Sequence, residues 1–520
     1  MAKTNYLFLV CCVFYFFLSG CANNAQFEPL TKEYKLSPPT DSSLAQYIDS
    51  QIQLQQQVSP KVATAYNSQQ QVTGVKTLAD GVDAFVARLA MIEAATKSID
   101  LQYYIYRNDE TGKILSLFLY KAAERGVRVR ILLDDLTTVN GDEGLLAIAN
   151  HPNIDVRLFN PSFERHYRGM AFLWDFNRLN HRMHNKSLTI DNLVTVVGGR
   201  NIGAEYFSAN EDVEFGDFDL LAIGAAVDQV SDQFDIYWNS EQVQSIEQLV
   251  DPNDVNFDLT SLKSKAVSFE STLATNDYVK RLENSPLLDR LKSKSLDWYW
   301  GEGLVVYDPP NKLEKPDGTV LLDDLSYFFE QAQDKLLIVS PYFVPGDNAT
   351  NAFIDAVKQG KKITIITNSL AATDVLAVHA GYQQYRQKLI EGGVKIYEVK
   401  DDPSVKKSSW KGSSRTSLHA KTFIIDEKAI FVGSFNFDPR SAFINTEMGL
   451  IFHNQQLAKS ILKSLDDSGF NKAYEVVFKD GELVWLDHLH NKTIYAEPGA
   501  GFWRKFFADF LSLLPIESQL

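Results

Sequence analysis

The chain has 520 residues, which is enough to form one large hydrophobic core or two to three ordinary ones. Its 45% hydrophobic and 22% charged residues are typical of a globular protein, and its formal net charge of -15 argues against a nucleic-acid partner, because an acidic surface repels a phosphate backbone. The three cysteines, Cys11, Cys12 and Cys21, all lie at the N-terminus, which excludes a disulfide framework in the body of the protein.

The N-terminus has the order of features found in an exported lipoprotein. Lys3 precedes an apolar run over residues 7–18, which is shorter than the about 20 residues that a membrane-spanning helix needs. The run leads into Leu-Ser-Gly-Cys, which resembles the lipobox of bacterial lipoproteins, so we predict a signal peptide at 1–20 and a membrane anchor through acylated Cys21. A cysteine placed there by chance and an uncleaved anchor are the alternatives. Ala22 is typical of Gram-negative lipoproteins sent to the outer membrane.

The rest of the chain predicts a polar tether followed by two similar halves. Residues 21–75 are polar, and residues 44–57 within them have a helical pattern. From about Leu78, helical and strand patterns alternate. The first half predicts helices at 84–96 and 114–124 and strands at 98–106, 127–133 and 154–159. The second half repeats this order with helices at 322–332 and 352–358 and strands at 335–340, 362–367 and 394–397.

The alternation indicates an α/β fold, and the duplication indicates two lobes related by a pseudo-twofold axis. We expect the first lobe at residues 76–245 and the second at residues 315–475. A connecting region over residues 246–314 carries no recognisable chemical motif, and a C-terminal segment follows at residues 476–520.

Each half also contains one copy of the motif His-x-Lys-x4-Asp, next to a strand-like stretch. The two copies are followed at equal spacing by a glycine and an asparagine. One such motif occurs by chance in roughly a few per hundred chains of this length, but two copies with matching flanks are not expected by chance. The predicted set is His184, Lys186, Asp191, Gly198 and Asn201 in the first half and His419, Lys421, Asp426, Gly433 and Asn436 in the second.

The residue types in this set are suited to phosphodiester chemistry. On a strand, residues i and i+2 point to one face, so each histidine projects with its lysine. Lysines and asparagine amides bind non-bridging phosphate oxygens, and one imidazole can attack phosphorus while the other protonates the leaving oxygen. A single histidine would more often be a core residue. The two motif aspartates lie a strand away from the histidines, which favours a structural role. We predict no metal or other cofactor, because lysine is not a ligand and the histidines are not grouped as a zinc site requires.

The motif resembles the signature of the phospholipase D superfamily, H-x-K-x4-D followed by G-[SG]-x-N. Further segments resemble the cardiolipin synthase C branch of that superfamily, from about Leu78 to the C-terminus. These segments are Gly198-Gly199-Arg200-Asn201, Asn368-Ser369-Leu370-Ala371-Ala372-Thr373-Asp374, Val378-His379-Ala380-Gly381-Tyr382, Gly433-Ser434-Phe435-Asn436 and Asn445-Thr446-Glu447.

The resemblance implies two phospholipase D-like α/β/α lobes with the active site at their interface. It also implies a two-step mechanism without a metal. It makes His184 the nucleophile that forms a phosphatidyl-histidine and His419 the general acid and then the general base. Lys186, Lys421, Asn201 and Asn436 would hold the phosphate. A carboxylate downstream of each motif would orient a histidine. Asp217 and Glu447 occupy these positions, with Asp219 close to the first, and the sequence leaves open which carboxylate serves which histidine. Gly199 replaces the serine often found in the first motif.

The resemblance also implies phospholipid substrates. The donor would be phosphatidylethanolamine or phosphatidylglycerol, and phosphatidylglycerol would be the acceptor, which gives cardiolipin. A phospholipase D hydrolase that uses water and releases phosphatidic acid is the alternative, and a nuclease is a distant third because the chain is acidic. The sequence predicts no nucleic-acid partner and does not identify a protein partner.

Three segments raise the question of membrane contact. Residues 502–514 predict an amphipathic helix rich in Phe and Trp, which would lie either at a membrane interface or against the core. Residues 167–176 are apolar and lie shortly before His184, which predicts core packing more than a lipid entry. Residues 406–415 form a basic, serine-rich stretch that predicts a solvated loop.

Overall fold

The computed structural model describes residues 27–58, 72–138, 141–165, 167–210, 214–251, 259–314, 320–401, 416–465 and 470–520. Cys21 and the basic stretch at residues 406–415 lie outside these ranges. Residues 1–31 and 32–520 form separate units. The described part of the first unit, residues 27–31, has no regular secondary structure, and all elements below belong to the second.

The strands recur in the same order in both halves of the chain. In chain order they are β1 (Val72–Leu78), β2 (Ser98–Tyr103), β3 (Arg128–Asp134), β4 (Ile154–Phe159), β5 (Ser187–Ile190), β6 (Val194–Gly198), β7 (Glu214–Gly216), β8 (Asp219–Gly224), β9 (Val243–Ser245), β10 (Tyr299–Tyr307), β11 (Lys335–Val339), β12 (Lys362–Asn368), β13 (Lys395–Val399), β14 (Thr416–Leu418), β15 (Thr422–Ile425), β16 (Ala429–Gly433), β17 (Met448–His453), β18 (Ala473–Lys479), β19 (Glu482–Asp487) and β20 (Lys492–Ile494).

The α-helices alternate with these strands along the chain. They are α1 (Ser43–Val58), α2 (Gly81–Ala94), α3 (Glu110–Glu124), α4 (Asp142–Ala149), α5 (Arg168–Ala171), α6 (Phe176–Leu179), α7 (Ala225–Trp238), α8 (Ile246–Leu249), α9 (Leu259–Leu273), α10 (Asp277–Glu283), α11 (Pro286–Lys292), α12 (Val320–Glu330), α13 (Gly346–Lys358), α14 (Leu376–Glu391), α15 (Pro439–Phe443), α16 (Gln455–Ser464) and α17 (Phe502–Ser512). No helix in the described ranges is both long and apolar enough to cross a membrane.

Eighteen of the described strands form one continuous sheet. The pairings of neighbouring strands give the order β9-β4-β3-β2-β5-β6-β8-β1-β10-β17-β16-β15-β11-β12-β13-β18-β19-β20. Each half contains three neighbouring parallel strands, β2–β4 in the first half and β11–β13 in the second, next to antiparallel strands. The two half-sheets are joined at the centre by the antiparallel pair β1 and β10. This arrangement confirms the mixed α/β fold with two matching halves.

Local sequence explains why the helices begin where they do. Asp80 and Asp109 lie just before α2 and α3, and their carboxylates accept hydrogen bonds from the backbone amides of Asp83 and Gly112, at 3.1 and 3.0 Å. Such side-chain caps satisfy amides that have no partner within the helix. Most of α3 is buried, and within the helix only Lys113 and Glu124 are exposed to solvent.

The buried apolar side chains form three hydrophobic clusters. One lies in the first half around Phe85 and Leu101, and a second lies in the second half around Phe353 and Phe423. The third crosses the junction of the halves and contains residues from both, namely Val75, Val197, Leu220, Ala222, Val305, Ile424, Val432 and Leu450. Because this third cluster is shared, the interface between the halves is part of the core.

Three elements of the fold lie outside the two predicted lobes or cross their boundaries. The sheet begins before Leu78, because β1 pairs along its length with β8 and β10. In addition, α1, which the sequence predicted within a polar tether, buries Ile48 in the first cluster. Strand β10 lies in the predicted connecting region and provides the pairing that joins the two half-sheets.

Candidate active site

Two short parallel contacts between the halves bring the predicted site residues together. Strand β14, which precedes His419, pairs in parallel with β7, and the backbone amide of His419 donates to the carbonyl of Gly216 at 2.8 Å. In the mirrored contact, Met183 and Thr446 form a parallel bridge, and the amide of His184 donates to the carbonyl of Thr446 at 2.8 Å. Each histidine is therefore aligned beside the residue that precedes a carboxylate of the other half.

His184 is paired with Glu447 from the second half. Its Nδ1 lies 2.8 Å from Oε2 and 3.0 Å from Oε1 of that carboxylate. Ser434 Oγ also donates to Oε2 of Glu447. The ring of Tyr104 packs edge-on against the imidazole, with 4.9 Å between ring centroids. Both members of the pair are buried. Because Nδ1 is hydrogen-bonded to the carboxylate, Nε2 is the ring nitrogen that remains for chemistry.

His419 is paired with Asp217 from the first half, at 2.6 Å between Nδ1 and Oδ2. Two aromatic rings enclose its imidazole: Phe215 stacks on it and Tyr206 meets it edge-on, both with 5.2 Å between centroids. Asp219, the neighbouring carboxylate, is instead occupied by an ion pair to Arg88 at 2.9 Å. Asp217, and not Asp219, is therefore the carboxylate that pairs with His419. Each histidine is paired with a carboxylate from the other half of the chain.

Both motif lysines lie beside their own histidines. Lys186 Nζ donates to the carbonyl of His184 and lies 5.6 Å from the centroid of the Tyr104 ring. Lys421 Nζ donates to the carbonyl of His419 at 2.5 Å and lies 3.0 and 3.2 Å from the two ring nitrogens. The histidine and lysine of each motif precede β5 and β15 and do not lie within them. Two ammonium groups in one buried site form a strong anion-binding environment.

The two motif asparagines are buried but have different partners. Asn201 Oδ1 accepts from the amide of Ile105 at 3.1 Å, and Nδ2 donates to the hydroxyl of Tyr206 at 3.0 Å. The side-chain oxygen of Asn436 has no hydrogen-bond partner among the described residues. Since buried amide atoms are normally paired, the Asn436 amide is available for a ligand.

The two motif aspartates lie at the far ends of β5 and β15, each with a positive φ angle. Asp191 accepts hydrogen bonds from the backbone amides of Thr96, Lys97 and Ser98, at 2.7–2.9 Å. Asp426 accepts in the same way from three consecutive amides, at residues 333–335, at 2.8–2.9 Å. Each carboxylate therefore ties a turn to the start of the neighbouring strand, as expected for a structural role.

Gly199 has a steric explanation that its sequence position did not reveal. A Cβ atom built there would lie 2.1 Å from Oδ1 of Asp217, closer than real Cβ contacts allow. Its counterpart Ser434 has room for a side chain, which donates to the longer carboxylate of Glu447. The first half therefore combines an aspartate, Asp217, with Gly199. The second half combines a glutamate, Glu447, with Ser434.

Burial and local charge shift the protonation of this cluster. Burial, reinforced by Lys186, Lys421 and His419, lowers the pKa of His184 well below its ordinary value. Burial and Lys421 also lower the pKa of His419, but Asp217 opposes this change. That three of these groups alter the pKa of His184 indicates that both motifs share one electrostatic site.

The two carboxylates respond in opposite directions. Burial raises the pKa of Glu447 to about 7. Burial also acts on Asp217, but the His419 imidazole and the Lys421 ammonium hold the pKa of that carboxyl below its ordinary value. Burial lowers the pKa of Lys421 to about 8 and that of Lys186 well below its ordinary value. Asp217 is therefore the more fully ionised of the two carboxylates at neutral pH.

Sequence reasoning missed the aromatic residues Tyr104, Tyr206 and Phe215 that enclose the two imidazoles, and no spacing rule distinguished them from core residues. Among the described residues, no three His, Cys, Asp or Glu side chains are grouped so as to hold a metal ion.

Comparison with known proteins gives a consistent family. A family model for the cardiolipin synthase, PLD-like domain matches residues 89–238 and 325–468. Cardiolipin synthase C of Escherichia coli (strain K12) is 40% identical over 456 residues, which cover 85% of this chain and 95% of that protein. An uncharacterized protein of Helicobacter pylori is 32% identical over 449 residues, covering 84% of this chain and 88% of the relative.

A crystal structure of phosphatidylserine synthase from Haemophilus influenzae Rd KW20 has the same fold, with a TM-score of 0.53, 15% identity and coverage of 80% of this chain and 92% of that one. The two matched segments contain the two histidine motifs, and the relatives extend over most of the chain. The chain therefore belongs to the cardiolipin synthase family of phospholipase D-like proteins.

Proposed function

We propose that the protein is a phosphatidyltransferase that moves a phosphatidyl group from a donor phospholipid to phosphatidylglycerol and forms cardiolipin. The observation that carries this proposal is the buried site in which two histidines, each bonded to a carboxylate of the other half, lie beside two lysines. Its relatives named cardiolipin synthase support the choice of acceptor.

In the first step, Nε2 of His184 attacks the phosphorus of the donor, and the bond from phosphorus to the headgroup oxygen breaks. His419 gives its proton to that oxygen, so the headgroup leaves as an alcohol. In the second step, His419 takes the proton from the acceptor hydroxyl, whose oxygen attacks phosphorus. The phosphorus–nitrogen bond breaks and His184 is restored.

The direction of this assignment rests on the difference between the two pairs. A nucleophile must be neutral, and the pKa of His184 lies well below its ordinary value because of burial and the adjacent positive charges. A general acid must hold a proton. Burial and Lys421 lower the pKa of His419 as well, but Asp217 opposes this change with a negative charge beside His419. Glu447, with a pKa of about 7, gives His184 less charge stabilisation at neutral pH.

The lysines and asparagines of the two motifs would hold the phosphate. Burial lowers the pKa of Lys421 to about 8 and also lowers the pKa of Lys186 well below its ordinary value. A phosphodiester placed between them would favour their charged forms and recover part of the cost of burial. Among the described residues the side-chain oxygen of Asn436 has no partner, so it can accept a hydrogen bond from a hydroxyl group of the ligand or from water.

One assay decides between the transferase and a hydrolase. The purified protein is incubated with labelled phosphatidylethanolamine, with and without phosphatidylglycerol, and the lipid products are separated. Cardiolipin that requires both lipids supports the proposal, whereas phosphatidic acid as the sole product would replace it with the phospholipase D alternative. Cleavage of a nucleic acid at a comparable rate would favour the nuclease, which the net charge of -15 argues against.

We also propose that acylated Cys21 attaches the protein to the cell envelope, at the outer membrane if the organism is Gram-negative. The lipobox-like order of residues carries this proposal. Metabolic labelling with a fatty acid tests it. Label should enter the protein and be lost in Cys21→Ala; label retained by that variant would contradict the assignment.

A further inference from the structure

The C-terminal helix α17 has the reverse of the usual orientation. Its apolar residues face solvent, and these residues define the C-terminal apolar face: Phe502, Trp503, Phe506, Phe507, Phe510 and Leu513. Trp503 is 67% exposed and Leu513 is 81% exposed. The opposite side of α17 packs against α14, where Ala508 is fully buried. There Arg504 donates to the carbonyls of Leu370 and Thr373.

A helix on the surface of a globular protein normally turns its apolar side to the core. Among the described residues, the aromatic rings of the C-terminal apolar face stack with one another and with no ring outside the face, with 5.5 Å between the centroids of Phe506 and Phe507 and 6.1 Å between those of Trp503 and Phe506. A contiguous exposed apolar surface of this kind is typical of an interaction site. The sequence had left open whether this helix lies at a membrane interface or against the core; α17 packs on α14 through the side of Ala508 and leaves its aromatic side exposed.

A second exposed apolar surface lies in the first half. It comprises the short helices α5 and α6 and their connection, and we call it the α5–α6 apolar patch: Tyr167, Met170, Leu173, Trp174 and Phe176. Leu173 is 81% exposed and Trp174 is 63% exposed. The sequence predicted that residues 167–176 pack in the core, and this prediction was wrong. An apolar pattern over so few residues does not indicate which side faces the protein.

The last residues of the chain connect the two surfaces. Asn180, at the end of α6, donates to the side chain of Gln519 at 2.9 Å. Arg440 binds Asn180 through both guanidinium nitrogens, at 2.7 and 2.9 Å, and its backbone amide donates to the carbonyl of Leu520 at 2.5 Å. Since α17 leads into these final residues, the two surfaces flank a single junction.

This junction is adjacent to the catalytic residues. Asn180 lies four positions before His184, and His181 Nδ1 contacts the carbonyl of Ile444 at 2.8 Å, just before the Thr446–Glu447 segment. Only short stretches of chain, residues 180–184 and 444–447, therefore separate this junction from the pair of His184 and Glu447.

We propose that the C-terminal apolar face and the α5–α6 apolar patch together form a docking surface for a phospholipid bilayer. This inference rests on the proposed function, because an enzyme acting on phospholipids must draw them from a bilayer. Each surface exposes a tryptophan, the residue that favours the membrane–water interface. With 11 residues, α17 is about 16 Å long, too short to span a bilayer but suited to lie in its interface.

Attachment occurs through insertion of apolar side chains and not through general charge attraction. The chain as a whole carries a net charge of -15, which an anionic membrane repels. Cations and carboxylates are both present around the surfaces, such as Arg504 and Lys505 beside Asp509 on α17. We therefore expect binding to uncharged phosphatidylcholine vesicles that persists at high salt.

Vesicle flotation tests the docking surface. All proteins begin at Ala22, so that neither the apolar run at residues 7–18 nor an acyl chain on Cys21 contributes and the N-terminus is the same throughout. We expect each of the double variants Phe506→Ser/Phe507→Ser and Leu173→Ser/Trp174→Ser to bind phosphatidylcholine vesicles roughly tenfold more weakly. The control Tyr327→Ser removes a side chain that is 67% exposed on α12 and should bind normally. Thermal unfolding verifies that the variants fold.

A second measurement separates docking from chemistry. With substrates in vesicles, phosphatidyl transfer by the double variants should fall by a similar factor, whereas with substrates in detergent micelles it should stay within about twofold of the starting protein. Absence of transfer in micelles for the starting protein would refute the proposed function and leave the flotation result independent of it. Unchanged flotation of both variants would overturn the docking surface. So would light scattering that shows a dimer dissociated by the substitutions, since the face would then be an interface between two copies.

Discussion

The two histidine–carboxylate pairs are related by the duplication but differ in detail. His184 is hydrogen-bonded to Glu447, which also accepts a hydrogen bond from Ser434, and burial raises the pKa of Glu447 to about 7. His419 is hydrogen-bonded to Asp217, whose carboxylate fills the space beside Gly199. The imidazole of His419 and the ammonium group of Lys421 lower the pKa of Asp217. A symmetric frame can thus hold two imidazoles with different tasks, because the difference lies in the partners.

The largest effect should come from breaking either pair at its histidine. We expect His184→Ala and His419→Ala each to lower phosphatidyl transfer by about 10⁴-fold. A donor whose leaving group is p-nitrophenol distinguishes the two, since that group leaves without a proton. With this donor, His419→Ala should release one equivalent of nitrophenol and then stall as a phosphatidyl-histidine, whereas His184→Ala should release none.

His488→Ala is the matched control, because His488 is exposed and lies away from both motifs. Its activity should equal that of the unmodified protein with both donors. A one-equivalent burst from His184→Ala in place of His419→Ala would reverse the assigned roles.

The carboxylates should rank in the order that their charges predict. We expect Asp217→Asn to lower transfer by about 10³-fold, because it removes the charge that stabilises protonated His419. Glu447→Gln should cost about tenfold, since a carboxyl with a pKa of about 7 is partly protonated at neutral pH and the amide oxygen can still accept from His184. Steady-state rates with the natural donor measure both. An equal loss in the two variants would contradict the difference between the pairs.

Glu447 should also leave a signature in stability. Its pKa of about 7 in the folded protein exceeds the ordinary 4.5, so the folded state binds the proton more tightly than the unfolded chain does. The stability due to this proton is fully present below pH 4.5 and is lost as the pH rises to about 7. Over that interval the free energy of unfolding of the unmodified protein should therefore fall by at most about 3 kcal/mol because of Glu447. This fall should be absent in Glu447→Gln. Parallel pH profiles of the two proteins in denaturant unfolding would refute this.

Much of this comparison follows from the sequence, and part of it does not. The strands, the helices and the two motifs follow from local periodicity and equal spacing, because each half folds by its own pattern. The pairing of His184 with Glu447 does not, since it depends on the contact between Met183 and Thr446 and therefore on how the halves meet. The outward orientation of α17 is equally invisible, because an amphipathic pattern does not indicate what covers its apolar side.

The glycine–serine difference provides a smaller test. We expect Gly199→Ser to lower transfer by about 10²-fold, because its Cβ would displace the Asp217 carboxylate and so misplace His419. Ser434→Gly removes one hydrogen bond to Glu447 and should cost about fivefold, in line with roughly 1 kcal/mol for such a bond. Crystallography or a shifted pH–rate profile of Gly199→Ser would reveal the moved carboxylate. A larger loss in Ser434→Gly than in Gly199→Ser would contradict the steric argument.

The smallest effect on activity should come from the motif aspartates, and it separates structural from chemical roles within one motif. Asp191 is buried and bonds three amides and the hydroxyl of Thr96, whereas Asp426 is partly exposed and bonds three amides. Asp191→Ala should therefore lower the free energy of unfolding by about 3 kcal/mol and Asp426→Ala by about 1–2 kcal/mol. Transfer by the fraction that remains folded should change less than about threefold in either variant. A loss comparable to that of His184→Ala, in a variant shown to be folded, would instead place the aspartate in the chemistry.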